Sequence, residues 1–132
     1  MDLEILNIAS NTDNNRNIKD ATHFSKLKNS LCGDEIKIKL VIENDKIIDF
    51  GYQGKSCVYC QASVSLLSKI SLNNKISKLD KICDNAKNFF EGDLCKLAEN
   101  LRPFKKLFKR KNHLRKNCIL LPFKTLKKIV SN

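Results

Sequence analysis

The sequence contains no long hydrophobic run. No segment approaches the roughly 20 consecutive apolar residues that a membrane-spanning helix needs, although hydrophobic residues make up 42% of the chain. The first four residues have neither the basic flank nor the apolar stretch of a secretory signal. We therefore expect a cytoplasmic protein without a membrane partner.

A second close pair of cysteines is also missing. Of the six cysteines, only Cys57 and Cys60 are separated by two residues, whereas a zinc ribbon needs two such pairs. A thioredoxin-type redox motif would need a parallel sheet with crossover helices, and too few strands are predicted for one. The lack of a secretory signal disfavours disulfides. Reduced thiols that bind metal, carry sulfur or pack in the core are favoured instead.

Acidic residues are few. The chain has 14 aspartates and glutamates against 25 lysines and arginines, which gives a formal net charge of +11. Such a surface attracts nucleic acid or the acidic face of a protein through a salt-sensitive interaction. Lysine is abundant throughout the chain, however, including segments predicted to be structural. The charge by itself therefore does not indicate nucleic-acid binding.

The length of 132 residues suits one domain with one hydrophobic core. We expect residues 1–132 to form that domain, beginning with a short helix and a long polar surface loop in residues 1–30. The order of the predicted elements indicates an α+β fold, in which helices pack on one face of a small antiparallel β-sheet.

Two strands are predicted in the middle of the chain. Between Ile36 and Ile42 every second residue is isoleucine or leucine, which is the period of a half-buried strand. Residues 43–46 favour a turn, and the following run places Ile48, Phe50 and Tyr52 on one face. The two runs therefore predict a hairpin.

Two helices are predicted after the hairpin. Small residues follow Cys57 and suit a helix with Ala62, Leu66 and Ile70 on its inner face. Apolar residues then recur at spacings of three and four over residues 76–90, which predicts a strongly amphipathic helix.

The C-terminal third is predicted to be helical as well. Asp93 can cap a helix that ends at Pro103, and a terminal helix begins at Cys118 with Pro122 in its first turn. Cys57 and Cys118 are thus both expected at or just before a helix N-terminus. There the unpaired amides and the helix dipole favour a thiolate over a thiol.

The other cysteines and one histidine are less specific. Cys83 falls on the apolar stripe of its helix, which predicts core packing, and Cys95 is also expected to be structural. Cys60 either faces the core or supports Cys57. His113 lies in a basic run, where a surface role and a metal-binding role are both open.

Three motifs carry a resemblance when taken together. They are Leu31-Cys32-Gly33-Asp34 before the hairpin, Ser56-Cys57 leading into Gln61-Ala62-Ser63-Val64-Ser65 after it, and Arg115-Lys116-Asn117-Cys118-Ile119-Leu120-Leu121-Pro122-Phe123 near the end. In this order and spacing they resemble the U-type iron-sulfur cluster scaffold family, which includes the NifU N-terminal domain, IscU and SufU. The resemblance covers most of the chain from about Leu31.

The resemblance implies a SufE/NifU-like fold and one exposed metal site. Its ligands would be Cys32, Asp34, Cys57 and Cys118, with Asp34 as the labile fourth ligand. Such a site would bind Zn2+ in a resting form, and would either build a transient [2Fe-2S] cluster or accept sulfur from a cysteine desulfurase. The protein would be a scaffold rather than an enzyme, without catalytic residues, and would serve iron-sulfur acceptor or carrier proteins.

The chain also departs from the family pattern. Asn117 stands where one branch has a histidine directly before the last cysteine, and His113 is displaced from that place. Arg115, three residues before Cys118, is closer to the SufU-like pattern. Cys60 stands where the family commonly has a small or apolar residue. These departures leave the cargo open, and they make Cys60 and His113 accessory candidates.

A basic segment borders the last cysteine and is expected to guide docking of the desulfurase or of an acceptor protein. Its residues are Lys109, Arg110, Lys111, Arg115 and Lys116. The alternative function is a basic, zinc-stabilised binding module for nucleic acid or an acidic protein, without a cluster role. Nucleic-acid binding that survives Cys32→Ala and Cys57→Ala would favour that alternative.

Overall fold

The computed structural model, which describes residues 2–92 and 96–131, combines a three-stranded sheet with helices. The elements in chain order are α1 (Leu3–Ala9), β1 (His23–Lys28), β2 (Glu35–Glu43), β3 (Lys46–Lys55), α2 (Val58–Ser71), α3 (Ile76–Glu91), two 3-10 helices (Glu99–Phe104 and Arg110–Arg115) and α4 (Lys116–Val130). Within these ranges, every helix is too short or too polar to span a bilayer.

The sheet is antiparallel, with strand order β1-β2-β3. Ile36, Ile38 and Leu40 are fully buried on one face, and the lysines between them point to the other. Asn44 and Asp45 have positive φ angles of 52° and 63°, which a tight turn between right-twisted strands requires and which Asn and Asp tolerate. Helices α2 and α4 pack on the buried face. The predicted α+β architecture is confirmed.

Strand β1 lies inside the segment predicted to be a loop, so that part of the prediction is wrong. His23–Lys28 pairs along its whole length with β2. Its alternation is concealed because the small polar residue Ser25 points inward and is 6% exposed, whereas Phe24 points outward and is 57% exposed. A period-two pattern of apolar residues is therefore absent from this strand.

A β-bulge changes the face assignment at the start of β3. Ile42 pairs with Ile47 across the bulge, which leaves Ile48 as the extra residue. Ile47 is consequently buried and Ile48 is 41% exposed, the reverse of the prediction. Beyond the bulge, Phe50 and Tyr52 face the core as predicted.

Helix α2 is buried around much of its circumference because it packs against α1, α4 and β3. Leu66 and Ile70, predicted on the inner face, are only half-buried. The fully buried positions include Ala62, Val64 and Leu67. Small polar residues also lie inside: Ser63, Ser65, Ser68 and Ser71. Their size lets the neighbouring helices approach closely.

Helix α3 has the predicted extent, but the helix predicted after it does not form as such. Residues 96–98 are not helical, and Glu99–Phe104 is a 3-10 helix. Asp93, its predicted cap, lies outside the described residues. Pro103 has no N–H and its ring crowds the carbonyl four residues before it, which disfavours an α-helix here. Phe104 instead packs edge-on against Phe123 of α4, with ring centroids 5.2 Å apart.

Candidate metal centre

The loop between β1 and β2 is closed by Asn29. The Asn29 N–H donates to the Asp34 carbonyl (2.7 Å), and the Gly33 N–H donates to the Asn29 carbonyl (2.8 Å). The Asn29 side chain also accepts a hydrogen bond from the Leu31 N–H at 3.0 Å. Gly33 has a φ of 77°, which a residue without Cβ adopts easily. As a result, Cys32 is exposed at the tip and Asp34 is turned inward, 7% exposed.

Cys57 lies beside this loop because of the strand register. Glu35 at the start of β2 pairs with Lys55 at the end of β3, so the residues just outside both strands are neighbours. Cys57 has extended backbone angles and is the N-cap of α2. Its N–H donates to Asp34 Oδ1 at 3.2 Å. The predicted position just before a helix start is confirmed.

Cys118 comes to the same place from the other end of the chain. Helix α4 begins at Lys116, so Cys118 is inside its first turn and Pro122 is a turn further on, not in the first turn as predicted. The Ser63 hydroxyl of α2 donates to the Ile119 carbonyl at 2.7 Å. This buried bond ties the first turn of α4 to α2.

The structure brings three of the predicted ligand groups close together. One donor atom from each of Cys32, Asp34 and Cys118 lies within 4.8 Å of the other two. Cys57 is not part of that compact set, but its side chain interacts with the Cys118 thiol. All four side chains therefore meet at one end of the sheet.

The donor set fits a transition-metal ion. Asp34 Oδ2 is buried and has no hydrogen-bond partner of ordinary geometry among the described residues, although the Cys118 thiol is close enough to interact with the Asp34 carboxylate. An unpartnered buried carboxylate oxygen is unfavourable unless a cation or another donor meets it. Thiolate sulfurs suit iron and zinc, and they are supplied here within reach of that oxygen. Cys32, Asp34 and Cys118, with Cys57 beside them, are the residues that could hold such an ion.

The electrostatics of Cys118 differ from the expectation. Burial raises the pKa of the Cys118 thiol, and the neighbouring Cys57 and Asp34 raise the same pKa further. These effects outweigh the helix N-terminus, which would favour a thiolate. Without metal, Cys118 therefore holds its proton at neutral pH, and a metal ion that binds there must displace that proton.

Two further cysteines are buried. Cys83 packs in the core of α3 as predicted, and burial raises its pKa to about 12. Cys60 is fully buried one turn into α2, and burial raises its pKa even more strongly. Cys60 is close enough to Cys57 and Asp34 to interact with their charges. Cys95 lies outside the described residues.

The remaining predicted site residues lie on the second 3-10 helix and at the start of α4. His113 is half-buried and is not in the compact donor set; its Nδ1 has no partner among the described residues. Lys111 forms an ion pair with Asp2 at 3.2 Å, and the Arg115 guanidinium lies 5.5 Å from the centre of the Tyr59 ring. Lys109 and Arg110 are exposed, and Lys116 is half-buried.

Asn29 and Tyr59 contribute to the site without having been predicted. Asn29 closes the loop that carries Cys32 and Asp34, and Tyr59 holds Arg115 against the first turn of α2. An asparagine just before a loop with glycine is a turn signal that could have indicated the first. The contact of Tyr59 has no local sequence signal.

Comparison with known proteins finds relatives over most of the chain. The sequence profile of the NifU-like N terminal domain family matches residues 2–102. The iron-sulfur cluster assembly scaffold protein IscU of Thermotoga maritima is 31% identical in an alignment of 130 positions, which covers 93% of this chain and 87% of that protein. An uncharacterized protein of Borreliella burgdorferi is 29% identical over 114 residues, 86% of this chain and 79% of its own length.

Solved structures show the same fold. A crystal structure from Fervidobacterium islandicum AW-1, named as an iron-sulfur cluster assembly scaffold protein for the SUF system, superposes with a TM-score of 0.89 at 27% identity, covering 97% of this chain and 94% of that one. The N-terminal part of a NifU-like protein from Brucella abortus has a TM-score of 0.84 at 19% identity, covering 98% and 91%, and supports the fold alone. The chain belongs to the NifU-like N-terminal domain family of iron-sulfur cluster assembly scaffold proteins.

Proposed function

We propose that this chain assembles a labile [2Fe-2S] cluster on Cys32, Cys57, Cys118 and Asp34 and transfers it to acceptor or carrier proteins. The observation that carries the proposal is the mutual approach of the Cys32, Asp34 and Cys118 donor atoms within 4.8 Å. The buried, unpartnered Asp34 Oδ2 supports it, because a bound cation would neutralise that oxygen. Cys57 would complete a set of four ligands.

The mixture of ligands suits a cargo that must leave. Thiolates bind iron and zinc strongly, whereas a carboxylate is a harder and more exchangeable ligand for the same ions. Asp34 would therefore be the ligand that dissociates first during transfer. The same set would hold Zn2+ when no iron is supplied, because tetrahedral sites of sulfur and oxygen ligands suit zinc.

Sulfur would come from a cysteine desulfurase, which breaks the carbon-sulfur bond itself. Cys32 is exposed at the loop tip and Cys57 beside it is half-buried, so either thiol can receive sulfur from a partner protein, whereas Cys118 is buried. The protein then needs no catalytic residue of its own: it accepts sulfur, holds iron and hands over the product. Such chemistry requires free thiols, and we place it in the reducing cytoplasm.

Docking would involve the basic segment that adjoins the site. Lys109 and Arg110 are exposed on the second 3-10 helix and its flank, and α4 with Cys118 follows directly. Lys111 and Arg115 already contact Asp2 and Tyr59, so their charges are partly engaged within the chain. The proposed partner face is acidic, since charge complementarity accelerates association.

Anaerobic reconstitution tests the cluster proposal. Wild-type protein is incubated with ferrous iron, sulfide and a thiol reductant, and cluster formation is followed by absorption spectra with iron, zinc and sulfide analysis. We expect a bound cluster in wild type and in Cys83→Ser, a matched control that removes a buried thiol away from the site. Cys118→Ser should lose most of the cluster, and Asp34→Cys, which replaces the exchangeable carboxylate with a thiolate, should bind the cluster and release it more slowly.

The proposal fails if Cys118→Ser binds iron and sulfide as wild type does. It also fails if wild type binds neither iron nor zinc stoichiometrically. In the latter case, DNA or RNA binding that is unchanged in Cys32→Ala would indicate the basic binding module instead.

A further inference from the structure

The helix start after β3 carries a second thiol whose role the ligand set does not explain. Cys57 is the N-cap of α2, with φ −71° and ψ 169°, and Cys60 is the third helical residue. Side chains at these two positions of a helix start face each other, which is the basis of the capping box. The Cys57 side chain makes no capping hydrogen bond. Its thiol interacts with the Cys118 thiol, so it must turn from Cys118 toward Cys60 for these two sulfurs to meet.

The burial of Cys60 separates it from the proposed ligands. Cys60 is 0% exposed, whereas Cys32 is exposed and Cys57 is half-buried. It lies outside the compact donor set of Cys32, Asp34 and Cys118, yet it interacts electrostatically with Cys57, Cys32 and Asp34. Cys60 therefore borders the site from the protein interior, where dissolved oxidants and partner proteins do not reach it.

We propose that Cys60 is a resolving thiol, which releases sulfide from a persulfide carried on Cys57. The inference rests on the proposed function, because the persulfide is the form in which a desulfurase delivers sulfur. It adds one step within the chain. The sulfur arrives as a persulfide and is reduced to the sulfide that an iron-sulfur cluster contains.

Atoms and electrons balance in this step, which involves only Cys57, Cys60 and the outer sulfur of the persulfide. The anionic outer sulfur of the persulfide first takes the proton of the Cys60 thiol, and the Cys60 thiolate so formed attacks Cys57 Sγ. The bond from Cys57 Sγ to the outer sulfur breaks, and its electron pair leaves with that sulfur, which departs with the proton as hydrosulfide. The outer sulfur is reduced and the two cysteines are oxidised to a Cys57–Cys60 disulfide. A dithiol reductant then restores both thiols by exchange.

The spacing supports disulfide closure between these two residues. Residues three apart at a helix start have Cβ atoms about 5–6 Å apart, and a disulfide needs about 3.5–4.5 Å. Cys57 precedes the helix and has extended backbone angles, and closure requires the two Cβ atoms to approach by about 1–2 Å. Reactive Cys-X-X-Cys motifs use the same spacing.

The choice of Cys60 over Cys118 follows from the ligand set. If Cys118 resolved the persulfide, the disulfide would remove two proposed ligands at the moment when iron needs them. Cys60 leaves Cys32, Asp34 and Cys118 on the metal and releases sulfide directly beside it. Cys83, which is buried in the core of α3, serves as a matched control without a cysteine neighbour three residues away.

The experiment uses inorganic polysulfide as the sulfur donor, without desulfurase or iron. Reduced, desalted protein is treated anaerobically; released sulfide is trapped and measured, and the cysteines are mapped by mass spectrometry of digested peptides. We expect wild type and Cys83→Ser to release sulfide and to form a Cys57–Cys60 disulfide. Cys60→Ser and Cys60→Ala should keep a persulfide on Cys57 and release at least tenfold less sulfide. Circular dichroism checks that both variants fold.

Several results would overturn the proposal. Wild type could retain the Cys57 persulfide as long as Cys60→Ala does, or the disulfide could join Cys57 to Cys32 or Cys118. Cluster reconstitution with free sulfide bypasses the step and should be equal in wild type and Cys60→Ala. A loss of reconstitution in wild type would instead contradict the proposed scaffold function, so the two failures are distinguishable.

Discussion

Replacement of Gly54 should disturb the site by displacing backbone atoms. It lies near the end of β3 with a φ of 152°, and a Cβ added there would stand 2.0 Å from the Glu35 carbonyl oxygen and 2.9 Å from the Glu35 carbonyl carbon. Ordinary contact distances are about 3.5–4.0 Å. Because both overlapping atoms are backbone, no rotamer change relieves the clash, and β2 must move away from β3.

The expected cost of Gly54→Ala has two parts. The unfavourable backbone angle costs about 1–3 kcal/mol, and the displacement of paired backbone adds a cost of similar size, so we expect a loss of about 3–5 kcal/mol in the free energy of unfolding. Gly33→Ala is the matched control. Gly33 has a φ of 77° but nothing within 4 Å of the added Cβ, so only the left-handed strain of about 1–2 kcal/mol applies.

Urea unfolding followed by circular dichroism measures both variants. Gly54→Ala should be less stable than Gly33→Ala by about 1–4 kcal/mol in the free energy of unfolding. Glu35 follows Asp34, so the displacement should also break the 3.2 Å bond between the Cys57 N–H and Asp34 Oδ1. Equal stability of the two variants would refute the steric reasoning, and unchanged metal binding by folded Gly54→Ala would refute its link to the site.

Two other predictions concern binding. Since the pKa of Cys118 is raised, each metal ion bound there should release a proton, and the affinity should fall about tenfold per released proton for each unit that the pH drops. Calorimetry in buffers of different ionisation enthalpy measures the proton release. A binding heat that does not depend on the buffer would contradict this prediction. Reversing charge with Lys109→Glu and Arg110→Glu should slow sulfur or cluster transfer at low salt and matter less at high salt. Lys69→Glu, near the far end of α2 from Cys57, is the control, and equal transfer rates in all variants would exclude this docking face.

Local sequence patterns were sufficient for helix α3 and for the β2–β3 hairpin. Helix α3 was predicted because its apolar residues repeat at helical spacing over four turns, and the β2–β3 hairpin because alternation on both sides meets the Asn44-Asp45 turn. The three motifs also indicated the family before any geometry was known. These features depend on residues near one another in the chain, so the sequence displays them directly.

Other features depend on contacts that a linear pattern does not contain. Strand β1 was missed because Ser25 is tolerated inside only where β2 and α4 cover it. The bulge that turns Ile47 inward and Ile48 outward exists only in the pairing of two strands. The prediction of a helix through 96–98 was wrong for a related reason. Leu97 and Ala98 pack against the core, as their spacing suggests, but they do so from a segment that is not helical.

The candidate site also has some features that follow from the local sequence and others that depend on tertiary contacts. The sequence by itself determined which thiols and which carboxylate are available, and that Cys57 precedes a helix, because these follow from residue identity and local spacing. Tertiary packing decided that Cys118 is buried with a raised pKa, that Asp34 keeps an unpartnered oxygen, and that Cys60 lies behind the site. The burial of a side chain and the electrostatic field around it depend on all the elements that pack beside it, and those elements come from distant parts of the chain.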